Sequence, residues 1–195
     1  MGLDGVELIM DIEKHFSISI PDREAEKAYT VGKLVDCVAK ILNVNKYDFT
    51  LRDNTLNKVK SALEALGQDL SGFSLSAKVA AALDAKNTDL ILSLEQDLQL
   101  KLPGIDRSVH DRKGTIHKTR SWFPVTGKID FNTLKWKKYI DIILAHNLDK
   151  LSVTIRYTSK YEIYIAVMKI TVDKIGVDYH EIGLEKSFTD DLGVD

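Results

Sequence analysis

The 195-residue chain is 44% hydrophobic and 29% charged, which supplies a core and leaves little room for disorder. Its net charge of -2 demands neither a nucleic-acid nor an anionic-membrane partner, and its single cysteine, Cys37, excludes an intrachain disulfide framework and a multi-cysteine zinc site. The N-terminus carries Asp4 and Glu7 where a leader would be basic, and no apolar run reaches the roughly 20 residues of a membrane helix, so a cytoplasmic protein without a membrane partner is expected.

In chain order, the first predicted element is a helix. Leu8, Ile9, Ile12 and Phe16 gather on one side of it, with Glu7, Asp11 and Lys14 on the other. Asp4 and Glu7 have capping-box spacing, which puts the helix start near Asp4. After Phe16 the period falls to two: Ile18 and Ile20 alternate with Ser17 and Ser19 until Pro21 ends the run. Thr30 offers another N-cap, ahead of a helical stripe of Leu34, Cys37, Val38 and Ile41. Residues 43–54 read as a linker.

An internal repeat follows. VELIMDIEKHFSISIP, residues 6–21, aligns without a gap on TDLILSLEQDLQLKLP, residues 88–103. Leu66, Gly67, Phe73, Leu75, Val79 and Leu83 match Ile175, Gly176, Ile182, Leu184, Phe188 and Leu192 at one constant shift, and both glycines suit left-handed helix C-caps. Residues 104–127 read as a long loop with Gly104, Gly114, Pro124 and Gly127, and NTLKWKKYIDIILAHN, residues 132–147, as a helix. SVTIRYT, residues 152–158, alternates as a short strand would. Residues 163–195 read as a helix ended by Gly176, a loop, and a segment closing on DDLGVD.

LDGVELIMDIEKHFSISIPDREAEKAYTVGKLVDCV, residues 3–38, resembles the second half of an acyl carrier protein, whose pattern runs DSL, DxVEL, an acidic helix, IxIPD, EAEK and TVGDLV. Residues 163–195 resemble the first helix and DDLG turn of the same family. The resemblance implies a circularly permuted carrier fold cut at the serine that bears the 4'-phosphopantetheine arm, with the termini meeting there. Close termini are common in domains. Gly2 stands nearest to that serine and has no hydroxyl, so no cofactor is expected. Residues 55–150 read as a second, divergent carrier-like bundle, in which the DSL turn between Leu83 and Thr88 is shortened and contains no serine. The expected fold class is all-α: a permuted bundle of 1–45 plus 155–195, a second bundle of 55–150, and one short strand.

The five histidines are dispersed and none stands in HExxH, so neither a metal site nor a catalytic triad is read. Cys37 sits on an apolar stripe as a structural thiol. No catalytic residue is assigned, and the chain is not read as an enzyme. RSVHDRKGTIHKTR, residues 107–120, and KWKK, residues 135–138, are basic, but a solvated loop outweighs nucleic-acid binding there. Val6 and Met10 project away from the first helix's core stripe among Glu7, Asp11 and Lys14, and the resemblance makes this a surface for docking protein partners. The expectation is a non-catalytic interaction or scaffold protein of acyl- or polyketide-type metabolism. Two alternatives stand beside it: a genuine carrier modified at a noncanonical serine, and a binder of nucleic acid or an acidic partner through the basic loop. The terminal segment covers either its own N-terminal half or a neighbour's, the latter giving a swapped homo-oligomer.

Overall fold

A computed structural model describes residues 3–104, 109–110, 116–117, 129–151 and 156–194. The fold is all-α, with helices α1 (Leu3–Phe16), α2 (Asp22–Ala25), α3 (Val31–Ile41), α4 (Thr50–Ala65), α5 (Thr88–Leu98), α6 (Trp136–His146), α7 (Leu148–Leu151) and α8 (Lys160–Ile175). A 3-10 turn covers Val79–Ala81, and an antiparallel ladder pairs Val109–His110 with Ile116–His117. The chain divides into two compact units, Met1–Asp53 with Leu144–Asp195, and Asn54–Ile143.

In the first unit, α1 buries Leu8, Ile12 and Phe16 of the expected stripe together with Gly5, while Ile9 is half-buried. Ser17 then turns left-handed at φ 54°, and the Ile18 amide donates to the Glu13 carbonyl at 3.0 Å. The Glu13 carboxylate accepts from the Ile20 amide at 2.6 Å, which pins the period-two segment so that Ile20 is buried while Ser17 and Ser19 stay exposed. Thr30 caps α3 by accepting from the Lys33 amide at 3.2 Å, and α3 buries Val31, Leu34, Val35, Cys37, Val38 and Ala39. Both α1 and α3 pack on α8. That helix opens on a Ser159–Glu162 capping box and stops at Gly176, whose φ of 78° suits a residue without a Cβ. Residues 163–168 of α8 are all buried, so the middle of this helix is covered on every side instead of along one stripe.

The chain after α8 returns to the start of α3. The Val31 amide donates to the Lys186 carbonyl at 3.0 Å, Gly32 to Leu184 at 2.8 Å, and Phe188 to Tyr29 at 3.0 Å. Gly32 is required by this approach: a Cβ there would lie 2.7 Å from the Leu184 carbonyl oxygen. Gly32→Ala is expected to cost about 1–3 kcal/mol by pushing the returning segment off the helix, measurable as a lower urea midpoint.

The second unit is built from the same kinds of contact. Gly67 ends α4 with a φ of 74°, and Asn87 caps α5 by accepting from the Leu90 amide at 3.0 Å. Gln99 turns left-handed at φ 54°, and the buried Glu95 accepts from the Leu102 amide at 2.6 Å. At the start of α6, Trp136 donates to Ala77 at 3.0 Å, Lys137 to Leu75 at 2.8 Å, and Val79 to Leu134 at 2.9 Å. The core holds Val59, Leu63, Val79, Leu83, Leu94, Leu102, Trp136, Tyr139 and Ile140.

Three sequence expectations are corrected. The helix start near Asp4 holds, but Asp4 lies within the first turn of α1, which includes Leu3, and so is not the cap that its spacing to Glu7 suggests. Ile41, the last residue of α3, is 39% exposed, since the core the helix covers ends at Val38 and Ala39. In the strand expected over 152–158, residues 156–158 are irregular, with Tyr157 at φ 50°, and 152–155 lie outside the described residues. Most of the basic stretch 107–120 also lies outside them, as does Gly2.

Candidate functional site

The outward side of α1 carries Leu3, Val6 and Met10, which are 73%, 45% and 60% exposed. Their spacing sets them one above another on one helix face. Lys14 is exposed further along the helix. Glu7 and Asp11 are half-exposed, and both reach Lys174 in the last turn of α8: its Nζ is 2.7 Å from Glu7 Oε2 and 3.4 Å from Asp11 Oδ2. The hydrogen bond that Lys174 donates to Glu7 holds its ammonium above the usual pKa, against an opposing desolvation effect. Of the five residues that sequence singles out, Val6, Met10 and Lys14 are therefore open to solvent, while Glu7 and Asp11 are engaged within the unit. Leu3 belongs to the same stripe; its position three residues before Val6 was the signal for it.

Behind this face lies a cavity of about 220 Å³. Gly5, Leu8 and Ile9 of α1 line one wall, Ala25 and Ala28 another, and Phe188 and Val194 a third, with Glu26, Tyr29 and Thr189 as its polar lining. Residues near both ends of the described chain thus share one cavity, and the buried Val194 is held there by donating its amide to the Phe188 carbonyl at 2.8 Å. The pocket is partly open to solvent: its walls are mainly apolar, and Glu26, Tyr29 and Thr189 are exposed at its edge.

A shallower groove is lined by Glu24, Lys27, Tyr29, Lys33, Asp36, Cys37 and Lys40. Its charges are largely matched: Glu24 lies 3.2 Å from Lys27 and 3.6 Å from Lys40, and Asp36 lies 2.7 Å from Lys160. The hydrogen bond from Lys27 and the two nearby ammonium charges keep the Glu24 carboxyl below its usual pKa. Burial, followed by the Glu24 charge, pushes the Cys37 thiol up, the opposite of what a thiolate nucleophile needs.

His15, at the end of α1, shares a 2.5 Å hydrogen bond with the Tyr157 hydroxyl. Although exposed overall, its ring packs edge to face on Phe16 at 4.9 Å and on Tyr157 at 5.6 Å. This desolvation lowers the imidazole pKa below its ordinary 6.5, partly offset by Asp149, while burial and the Glu162 charge push Tyr157 up to about 12. The unfolded chain takes up a proton near pH 6.5 and the folded chain only at lower pH. The contribution to stability is therefore complete above pH 6.5 and is lost as pH falls through the lowered folded value. The urea midpoint is expected to fall between about pH 7 and about pH 5, and to fall less in His15→Asn.

Among the described residues, no group of three or more His, Cys, Asp or Glu is placed to hold a metal ion, and no helix is long and apolar enough to cross a membrane.

Curated proteins similar to this chain include the acyl carrier proteins of Chlorobium phaeobacteroides and Chlorobium phaeovibrioides. Each is 50% identical over 39 residues, which is 20% of this chain and 50% of the relative. The chain therefore spans about half the length of these curated relatives. No protein-family model matches it, and neither does any solved structure. The chain contains an acyl-carrier-like region within an all-α fold.

Proposed function

We propose that this acyl-carrier-like chain is a non-catalytic interaction protein, which docks protein partners of acyl- or polyketide-type metabolism through α1 and bears no 4'-phosphopantetheine arm at the family's usual position. The observation that carries this reading is the exposed stripe of Leu3, Val6 and Met10 beside Glu7, Asp11 and Lys14. An apolar centre with a charged border has the anatomy of a protein interface, and its carboxylates favour a partner with basic residues around an apolar patch.

In this reading α1 to α3 form the second half of a carrier bundle, and α8 with the loop to Val194 forms the first. Support comes from Gly5 and Val194 lining one cavity, the arrangement expected of a bundle cut at the arm-bearing turn. Gly2, adjoining that turn in sequence, has no hydroxyl to modify. The second unit is read as an unpermuted, divergent copy. Support for that lies in paired hydrogen bonds of backbone amides at constant shifts: Val31 to the Lys186 carbonyl corresponds to Trp136 to Ala77, Gly32 to Leu184 corresponds to Lys137 to Leu75, and Ile20 to the Glu13 carboxylate corresponds to Leu102 to that of Glu95.

Incubation with a phosphopantetheinyl transferase and coenzyme A tests the reading. No mass gain is expected. A gain of one phosphopantetheine group, mapped to a serine, would establish the chain as a carrier modified at a noncanonical site and overturn the armless reading.

A further inference from the structure

We propose that Lys174 is a built-in counter-ion that masks the docking face of α1, so that a cationic partner must compete with it for Glu7 and Asp11. The inference rests on the docking reading above and concerns how that same face is regulated. Glu7 and Asp11 stand one turn apart on α1, a spacing that lets one ammonium serve both. Lys174 does so from a different helix, with Nζ at 2.7 Å from Glu7 and 3.4 Å from Asp11.

The accessibilities fit a mask better than a structural anchor. The Lys174 side chain is 25% exposed, whereas Glu7 and Asp11 retain 45% and 47% exposure, so a second cation can reach the carboxylates without the fold opening. Lys174 stands in the last turn of α8, where a cation also suits the helix dipole, and that placement holds it in position in the free protein. The exposed apolar stripe adjoins these carboxylates, so a partner seating an apolar helix on Val6 and Met10 would bring its flanking lysines or arginines to the same two acids. An exposed pair of this kind is weak and screened by salt, which makes it a competitor that a partner can displace.

The test is a fluorescence-anisotropy titration against a synthetic helical peptide with a leucine stripe flanked by lysines, with a glutamate-for-lysine peptide as control. Lys174→Gln is expected to bind the lysine peptide about 2- to 5-fold more tightly than wild type at low salt. The gain is expected to vanish at high salt, and Lys174→Arg to keep wild-type affinity. Lys174→Met, which keeps an apolar stem over α1, provides the same comparison if the glutamine variant loosens α8. Equal affinities for wild type, Lys174→Gln and Lys174→Met, with binding still weakened by Glu7→Gln plus Asp11→Asn, would overturn the mask and leave the docking face standing. Failure of the lysine peptide to bind any of these forms would overturn the docking reading and the mask together.

Discussion

Trp136→Ala is expected to destabilise the Asn54–Ile143 unit by about 3–5 kcal/mol, a large share of the roughly 5–15 kcal/mol that holds a typical domain. Trp136 is 1% exposed and packs its indole on Phe73 at 4.9 Å and Tyr139 at 5.8 Å between ring centroids. Its backbone amide meanwhile starts α6 by donating to Ala77. Truncation removes the ring contacts at the point where the loop before the 3-10 turn meets the helix, and leaves a cavity that the surrounding backbone cannot easily collapse. The indole Nε1 is buried and has no hydrogen-bond partner among the described residues. Trp136→Phe should therefore keep much of the packing while removing an unpaired donor, at a cost below about 1.5 kcal/mol. Urea unfolding followed by circular dichroism separates the two variants. Equal losses would mean that the site is held by something other than ring volume.

In the other unit, Leu34→Ala is expected to cost about 2–5 kcal/mol. Leu34 is wholly buried on α3, the helix that packs on α8 and receives the returning chain at Val31 and Gly32. Loss of its side chain leaves a void in the buried face of this helix. Ile41→Ala on the same helix is the control: at 39% exposure it should shift stability by about 0.5 kcal/mol or less. Thermal and urea unfolding of the pair measures how sharply the buried side of α3 is defined.

Sequence spacing revealed what is set locally. The stripe of α1 follows from its period, Thr30 is a cap because its hydroxyl reaches an amide three residues on, and Gly67 and Gly176 stop their helices because they take positive φ without strain. The period-two segment was legible at Ile20, which is buried, while Ile18 is only half-buried; the reason the segment stays in place was not legible. Glu13 and Glu95 occupy aligned positions in the repeat, and only the three-dimensional fold shows each carboxylate accepting the amide seven residues ahead. Asp4 misled because capping-box spacing does not say which residue is the cap. Ile41 misled because helical period carries no information on where the covering core stops. α8 has little periodic signal, because its middle turns are buried all round. The candidate face divides in the same way: Val6 and Met10 could be read from the helix wheel, whereas the attachment of Glu7 and Asp11 to Lys174 joins opposite ends of the chain and leaves no local trace.

Cys37, buried on α3, is the chain's one thiol, and Asn54–Ile143 contains none. Cys37 is 9% exposed at the wall of the Glu24–Lys40 groove and burial raises its pKa, so alkylation is slow in the closed unit and quickens when α3 lifts. The labelling rate at fixed pH is thus a clock for transient opening of one unit alone, running on the natural sequence with no engineered probe.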